Sequence, residues 1–181
     1  GRRLPELKGF RGRPTTDFGR EGLFNLLSSR VDLDGVHVLD LFAGTGMVSL
    51  EFLSRGAASV TAVELAPKAC RFATVQAGQL GSDDLHAVCA DVWSFLNRPL
   101  TQFDVVFADP PYDMPKLETL PDVVRESGVV SAGGWFILEH GERVDLSDRQ
   151  GHLLSRKYGH VHFSLLPSTE CEKLLFQGLL T

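Results

Sequence analysis

A short acidic and aromatic motif is the strongest sign of chemistry in the chain. Asp109-Pro110-Pro111-Tyr112 comes directly after the apolar run Phe103–Ala108, which is typical of a buried strand. Two prolines alone would be an ordinary rigid strand end with a tyrosine packed beside it. Here an acid precedes the pair and an aromatic ring follows it, and that combination favours a functional loop.

These four residues resemble the (D/N)PP(Y/F) motif of enzymes that act on amino nitrogens conjugated to a planar ring, and the chemistry of such a nitrogen explains the residue types. Such a nitrogen donates its lone pair into the ring, so it is flat and poorly nucleophilic. The Asp109 carboxylate and the Pro110 carbonyl are both acceptors, and together they would hold the two N–H bonds and favour a pyramidal nitrogen. The prolines fix φ, and Tyr112 would stack on an unstacked base. The predicted catalytic residues are Asp109, Pro110, Pro111 and Tyr112.

A glycine-containing loop follows an earlier apolar run, Val36–Leu41. The glycines permit a tight turn and a close approach of the backbone to a ligand, and the helix that follows presents unpaired N–H groups. The third glycine of the dinucleotide fingerprint is absent after Gly46, which lowers the case for NAD or FAD. The predicted cofactor-binding residues of this region are Asp40, Phe42, Ala43, Gly44, Thr45 and Gly46.

Acidic residues end the next two predicted strands. Glu64 closes the run Ser59–Val63, where a carboxylate can accept two hydrogen bonds from ribose hydroxyls. Asp91 follows the run His86–Cys89 and either accepts from an adenine amino group or caps the helix Val92–Asn97, and for Asp91 alone the cap is favoured. The cofactor-binding residues predicted at these two strand ends are Glu64, Leu65, Asp91 and Val92.

Short apolar runs alternate with helix-like segments, a pattern that predicts a mostly parallel sheet with helices on both faces. In the last third no long helix separates the runs, so antiparallel strands are expected there. No role is assigned to Glu139 or His140. The predicted strands are Val36–Leu41, Ser59–Val63, His86–Cys89, Phe103–Ala108, Trp135–Glu139, Leu153–Lys157 and His160–Leu166, with Lys173–Gln177 as a further candidate. The predicted helices are 17 to about 29, 47–55, 67 to about 80 and 92–97.

Length and composition favour one globular domain. The 181 residues are 43% hydrophobic and 23% charged, which suits one domain with a single core. The chain is short for two domains. We divide domain 1–181 into a basic arm 1–16, a first helix 17–30 and a catalytic core 36–181. No apolar run reaches the roughly 18 residues of a membrane-spanning helix. A cytoplasmic monomer without a membrane partner is therefore expected.

The charge distribution is compatible with a nucleic-acid partner. The net charge is −5, which on its face argues against one. Residues 1–20, however, hold six basic and two acidic side chains, a local charge of +4, and a basic arm of this kind can contact phosphates. The three cysteines and six histidines show no metal-ligand spacing, so no metal is expected.

The motifs together resemble those of Rossmann-like methyltransferases that use S-adenosylmethionine. The glycine loop with acidic strand ends looks like their nucleoside-methionine site, and the Asp-Pro-Pro-Tyr segment matches the (D/N)PP(Y/F) motif of enzymes that methylate amino nitrogens. Further segments are similar to signatures of the ribosomal small-subunit methyltransferase D group, which are 16S ribosomal RNA guanine-N2 methyltransferases. These segments are Arg13-Pro14-Thr15-Thr16-Asp17, Arg20-Glu21, Leu23-Phe24-Asn25 and Leu50–Ala57.

This resemblance covers nearly the whole chain and implies a fold, a cofactor and a substrate. It implies a seven-stranded, mostly parallel sheet with an antiparallel C-terminal hairpin, and S-adenosylmethionine as methyl donor. The implied acceptor is one guanine N2 of 16S rRNA, within the small ribosomal subunit or an assembly intermediate. The implied RNA-facing residues are Arg11, Arg13, Thr15, Thr16 and Arg20. Gly19 and Gly22 depart from the group, because they weaken the first helix where better helix formers are usual.

Two other functions stay open at this point. One is an amino-methyltransferase with another acceptor, such as DNA adenine N6 or a protein glutamine. DNA enzymes of this type usually carry a separate target-recognition region, and glutamine enzymes usually have Asn where Asp109 stands. The other is a nonenzymatic nucleoside-binding module, which would have no use for the acceptors of Asp109 and Pro110.

Overall fold

The structure, a computed structural model, describes residues 17–98 and 101–168. The predicted arm 1–16 and the candidate strand Lys173–Gln177 lie outside these residues. The helices are α1 (Asp17–Ser28), α2 (Met47–Ser54), α3 (Pro67–Gln79), α4 (Val92–Leu96) and α5 (Leu120–Glu126). The strands are β1 (His37–Leu41), β2 (Ser59–Glu64), β3 (Leu85–Cys89), β4 (Phe103–Ala108), β5 (Val130–His140), β6 (Leu154–Tyr158) and β7 (Val161–Pro167).

The seven described strands form one sheet in the order β3-β2-β1-β4-β5-β7-β6. Strands β1 to β5 pair in parallel, whereas β7 pairs antiparallel with both β5 and β6. The chain winds outward from β1 to β3 and then returns to place β4 on the other side of β1. That reversal is the switch point at which open parallel sheets bind ligands. The predicted sheet with its C-terminal hairpin is confirmed.

Helices cover both faces of the sheet, because successive strand side chains point in opposite directions. Val38 of β1 packs in the core cluster that includes Phe24 of α1 and Phe52 of α2, whose rings meet edge to face at 4.8 Å. The next residue, Leu39, packs in the cluster that includes Phe95 of α4 and residues of α5. Among the helices of the described residues, none is long and apolar enough to cross a membrane.

The segment between β4 and β5 differs from the sequence prediction. The prediction places no helix there, but α5 connects the two strands, with Pro121 in its first turn. A helix of seven residues repeats its apolar pattern too few times to stand out in sequence. Strand β5 also begins five residues before the predicted Trp135. Within these five residues Gly133 adopts φ 78°, and the pairing of β4 with β5 shifts register. The Gly133-Gly134 pair is thus an irregularity inside a strand.

The glycine at position 22 has a packing role. A Cβ added at Gly22 would lie 2.6 Å from Cγ of Tyr158 on β6. Helix α1 therefore approaches the end of the C-terminal hairpin more closely than any side chain at position 22 would allow. Glycine at position 22 lowers the helix propensity of α1, as the sequence indicates. It also permits this close contact, which only the three-dimensional structure shows.

Candidate active site

The predicted site residues meet where β1, β2 and β4 end. Leu41 at the end of β1 lies opposite Val63 of β2 and Ala108 of β4. The residues that follow, Glu64 on one side and Asp109 on the other, therefore flank the glycine loop. The backbone N–H of Asp109 also donates to the Leu41 carbonyl at 3.3 Å. The structure thus brings the acid of the Asp-Pro-Pro-Tyr segment to the predicted donor pocket.

Glu64 ties the glycine loop to the start of α3. Its Oε2 accepts from the Gly44 N–H at 2.9 Å, and its Oε1 accepts from the Ala66 N–H at 2.8 Å. Each carboxylate oxygen keeps a second lone pair, so ribose hydroxyls can still donate to it. Next to it Leu65 is 67% exposed, which offers an apolar surface to the ring of a nucleoside.

The glycine loop takes backbone conformations that side chains disfavour. Phe42, Gly44 and Gly46 all have positive φ, at 64°, 55° and 77°. Gly46 precedes α2, and a Cβ there would lie 2.8 Å from the Cβ of Ala73 on α3. The sequence predicts that the glycines let the backbone approach a ligand closely. At Gly46 the structure shows in addition that glycine lets α2 and α3 pack closely.

Asp40 is buried beneath the loop, with 1% of its surface exposed. Burial raises the pKa of Asp40 to about 7, although the hydrogen bond from the Ser49 hydroxyl to Oδ2, at 2.5 Å, lowers it. The negative charges of Asp109 and Glu64 raise that pKa further. Asp40 therefore lies close enough to Asp109 and Glu64 for their charges to act on it.

This concentration of carboxylates selects among possible ligands. A cationic group gains from the nearby carboxylates of Glu64 and Asp109, whereas the pyrophosphate of a dinucleotide would be repelled. The charge thus agrees with the missing third glycine in disfavouring NAD and FAD, and it fits the sulfonium and ammonium groups of S-adenosylmethionine. Residues 17–98 and 101–168 contain no group of three His, Cys, Asp or Glu side chains suited to hold a metal ion.

Asp91 caps α4. Its Oδ1 accepts from the Ser94 backbone N–H at 2.9 Å, which is the arrangement of a helix N-cap. The alternative favoured for Asp91 alone is therefore present, and a contact to adenine through its other oxygen stays a prediction. The side chain of Val92 lies in the core, so only its backbone is available to a ligand.

The Asp-Pro-Pro-Tyr loop contacts β5 through a side chain. The Tyr112 hydroxyl donates to Oε1 of Glu139 at 2.9 Å. Glu139 is 3% exposed, whereas Tyr112 is 37% exposed. Pro110 is buried and Pro111 is exposed. The tyrosine ring is therefore anchored at its hydroxyl and open to solvent on part of its surface.

His140 is a second residue to which the sequence assigns no role. Its Nδ1 lies 2.9 Å from the Gly141 carbonyl oxygen and its Nε2 lies 2.8 Å from Oγ of Ser164. Its ring stacks on that of His162 with centroids 5.6 Å apart. Burial lowers the pKa of His140, so the neutral ring donates from Nδ1 and accepts the Ser164 hydroxyl at Nε2. No spacing signals these contacts, because Ser164 lies on another strand.

Of the predicted RNA-facing residues, only Arg20 is described. It lies in the first turns of α1 and is half-buried. Arg11, Arg13, Thr15 and Thr16 lie outside the described residues.

A family model described as Conserved hypothetical protein 95 matches residues 1–166. The chain belongs to this family. It is 36% identical over 128 residues to ribosomal RNA small subunit methyltransferase D of Escherichia coli (strain K12), an alignment that covers 71% of this chain and 64% of that protein. It is 32% identical over 168 residues to the putative rRNA methyltransferase YlbH of Bacillus subtilis (strain 168), with 85% of each chain covered. The resemblance inferred from sequence to the small-subunit methyltransferase D group is confirmed.

Other relatives and solved structures agree with this family assignment. Ribosomal RNA small subunit methyltransferase D of Buchnera aphidicola subsp. Baizongia pistaciae (strain Bp) is 34% identical over 110 residues, and the match spans only 56% of its length. The structure of a putative methyltransferase, yhhF from Escherichia coli, superposes with a TM-score of 0.79 at 29% identity over 93% of this chain and 92% of that one. A putative methyltransferase complexed with SAH, at 17% identity and a TM-score of 0.65, shares the fold; the superposition covers 82% of this chain and 49% of that one. The predicted Rossmann-like methyltransferase fold is confirmed.

Proposed function

We propose that the protein methylates ribosomal RNA with S-adenosylmethionine as donor, and that the acceptor is guanine N2 in 16S rRNA of the small subunit. The observation that carries this proposal is the placement of Asp109 beside the glycine loop and Glu64. The donor site and the motif that accepts the N–H bonds of the amine then lie along the same edge of the sheet. The names of the relatives in Escherichia coli and Bacillus subtilis support ribosomal RNA as the substrate.

The donor site is assembled from the ends of β1, β2 and β3. Glu64 accepts hydrogen bonds from the ribose hydroxyls, Leu65 covers one side of the adenine, and Asp91 accepts from its amino group. The carboxylates of Glu64 and Asp109 attract the positive charge of the methionine part. When bound, S-adenosylmethionine supplies a methyl group on a sulfonium whose leaving group is already activated. The protein contributes position and electrostatics.

The acceptor base lies between Tyr112 and the donor site. The Asp109 carboxylate and the Pro110 carbonyl accept the two N–H bonds of the amine, which turns its lone pair toward the methyl group. A bond forms between nitrogen and methyl carbon while the bond from carbon to sulfur breaks. The amine then loses one proton, and Asp109 is the base placed to receive it. Tyr112 stacks on the base after it has left its neighbours.

The basic arm contacts RNA phosphates. We assign this role to a group of residues before and at the start of α1, namely Arg11, Arg13, Thr15, Thr16 and Arg20. Charge reversal at Arg11 and Arg13 is expected to weaken RNA binding and to reduce the slope of log affinity against log salt by about 0.7 for each phosphate that is no longer neutralised. Filter binding over a salt series measures this slope, and an unaltered slope removes the arm from the interface. We further propose that the protein works in the cytoplasm as a monomer.

One transfer experiment tests the proposed function. The protein is incubated with labelled S-adenosylmethionine and small ribosomal subunits from a strain that lacks the activity, and the modified nucleoside is identified by mass spectrometry. We expect N2-methylguanosine in 16S rRNA. Label in DNA adenine or protein glutamine would support the other amino-methyltransferases, and no transfer despite donor binding would support a nonenzymatic module. Large subunits serve as the control acceptor.

A further inference from the structure

We propose that Glu139 is a positioning residue that fixes the Tyr112 ring as the platform for the acceptor base, an inference that rests on the proposed function. The hydroxyl of Tyr112 donates to Oε1 of Glu139 at 2.9 Å. The two residues are 27 positions apart and lie on different segments, the loop after β4 and the end of β5. This contact joins the catalytic loop to the sheet by a side chain.

The tyrosine ring is held at a second place. A Cβ added at Gly141 would lie 3.1 Å from Cδ2 and 3.5 Å from Cγ of Tyr112. The absence of a side chain at Gly141 therefore lets the ring lie against the backbone just beyond β5. With the hydroxyl held by Glu139 and the ring edge held by Gly141, the torsions of Tyr112 are restricted while 37% of its surface stays exposed.

The anchor itself belongs to a rigid part of the fold. Strand β5 has β4 on one side and β7 on the other, and Glu139 pairs with Phe163 of β7. The adjacent His140 bonds through its side chain to Ser164 on the same neighbouring strand. Groups placed on paired strands are positioned more accurately than groups placed on loops alone. The bond to Glu139 thus restricts the movement of Tyr112 relative to the sheet.

Burial separates a positioning role from direct contact with substrate. At 3% exposure, Glu139 is too buried to contact a base stacked on the exposed part of the Tyr112 ring. A buried acid costs desolvation free energy, and a leucine of similar volume would avoid that cost. The acid instead supplies an acceptor for the Tyr112 hydroxyl. Loss of the bond would let the ring shift, and a shift of about 1 Å in a reacting group can cost about 100-fold in rate.

Steady-state kinetics on four variants test this role. We expect Glu139→Leu and Tyr112→Phe each to lower kcat about 10-fold to 100-fold, because both remove the bond and Tyr112→Phe keeps the ring. The KM for small subunits should change less than about 3-fold, since RNA affinity depends mainly on phosphates. Glu139→Gln should recover most of the activity, because its amide oxygen can accept the same hydroxyl. The double variant Tyr112→Phe/Glu139→Leu should be no slower than the slower single variant.

Several outcomes would overturn the inference. Glu139→Gln as slow as Glu139→Leu would indicate a role for the negative charge itself, and multiplicative losses in the double variant would show that the two residues act independently. A raised KM with kcat intact would place Glu139 in RNA binding. If Glu139→Leu does not fold, Tyr112→Phe decides alone, since an unchanged kcat would show that the hydroxyl has no positioning effect.

Two controls keep this inference apart from the proposed function. Glu142→Gln changes an exposed acid just beyond β5, which forms an ion pair with Lys157 at 3.1 Å, and it should match the wild type. Wild-type protein that transfers no methyl group to ribosomal RNA would defeat the proposed function. Active wild-type protein with independent effects at Tyr112 and Glu139 would defeat only the positioning role.

Discussion

The proposed donor side of the site, at the ends of β1 to β3, and the proposed acceptor side, at the ends of β4 and β5, are held together differently. On the donor side Glu64 bonds to the backbone N–H groups of Gly44 and Ala66. On the acceptor side the Tyr112 side chain bonds to the Glu139 side chain. Every non-proline residue has a backbone N–H, so the donor side needs only one well-placed acid. The acceptor side needs two matching side chains.

This difference explains where sequence motifs are informative. A loop fixed by backbone contacts can be recognised from the one or two residue types that its geometry requires. A loop fixed by a pair of side chains is recognised only when both partners are known. For the acceptor side the second partner is Glu139, which no motif marks. Variants on the acceptor side should change turnover, whereas variants on the donor side should change the affinity for S-adenosylmethionine.

The largest expected effect is on the acceptor side. Asp109→Ala removes an acceptor that acts on the reacting amine, so turnover should fall by about 100-fold or more, while S-adenosylmethionine still binds. Single-turnover transfer to small subunits and calorimetry of the donor measure the two quantities. Equal turnover in variant and wild type would remove Asp109 from the chemistry.

A smaller effect is expected on the donor side. Glu64→Ala should weaken S-adenosylmethionine binding by about 1–3 kcal/mol, because charge-assisted bonds to the ribose are removed. The rate at saturating donor should change far less than in Asp109→Ala. Glu51→Ala, which removes an exposed acid paired with Arg55, is the matched control. Unchanged calorimetric affinity in Glu64→Ala would contradict the ribose role.

The pH dependence of stability should report the carboxylates of the donor side. Burial raises the pKa of Asp40 to about 7 from an ordinary value of 3.8. Between these two values the unfolded chain releases the Asp40 proton and the folded protein retains it, so the Asp40 contribution to the free energy of unfolding falls as pH rises through that window. Above about pH 7 it falls no further.

Asp40→Asn should remove this decline, since the amide does not titrate and its oxygen still accepts from Ser49. Relative to wild type, the variant should gain a few kcal/mol between pH 4 and pH 8, on the order of 1.4 kcal/mol for each unit of pKa shift. Urea unfolding at several pH values measures the difference, with Asp83→Asn at an exposed position as the control. Parallel pH profiles for Asp40→Asn and wild type would show that Asp40 ionises normally when folded.

A pair of glycines should change stability in opposite directions. Gly22→Ala should destabilise the protein by about 1–3 kcal/mol, because the new Cβ would collide with Tyr158. Gly78→Ala in α3 meets nothing within 4 Å and should stabilise by about 0.5–1 kcal/mol through helix propensity. Thermal unfolding compares them, and stabilisation by both would show that α1 can move away from β6.

The sequence predicted most of the parallel sheet because buried strands need apolar runs and the connecting helices need a repeating apolar face. It missed α5, whose seven residues are too few for a clear period, and it began β5 at Trp135, five residues after the strand starts. It also read Gly22 as a weakness of the first helix, since the Tyr158 ring that occupies the space beside it comes from a distant strand.

For the site, the sequence by itself determined the residue types at the strand ends: Asp40, Glu64, Asp91 and the Asp-Pro-Pro-Tyr segment. Those types are set by local chemistry, since each must accept hydrogen bonds or fix the backbone where it stands. Only the tertiary structure decided which of them act on each other and that Glu139 holds Tyr112. Such pairings depend on strand order and register, which bring together residues that no short segment contains.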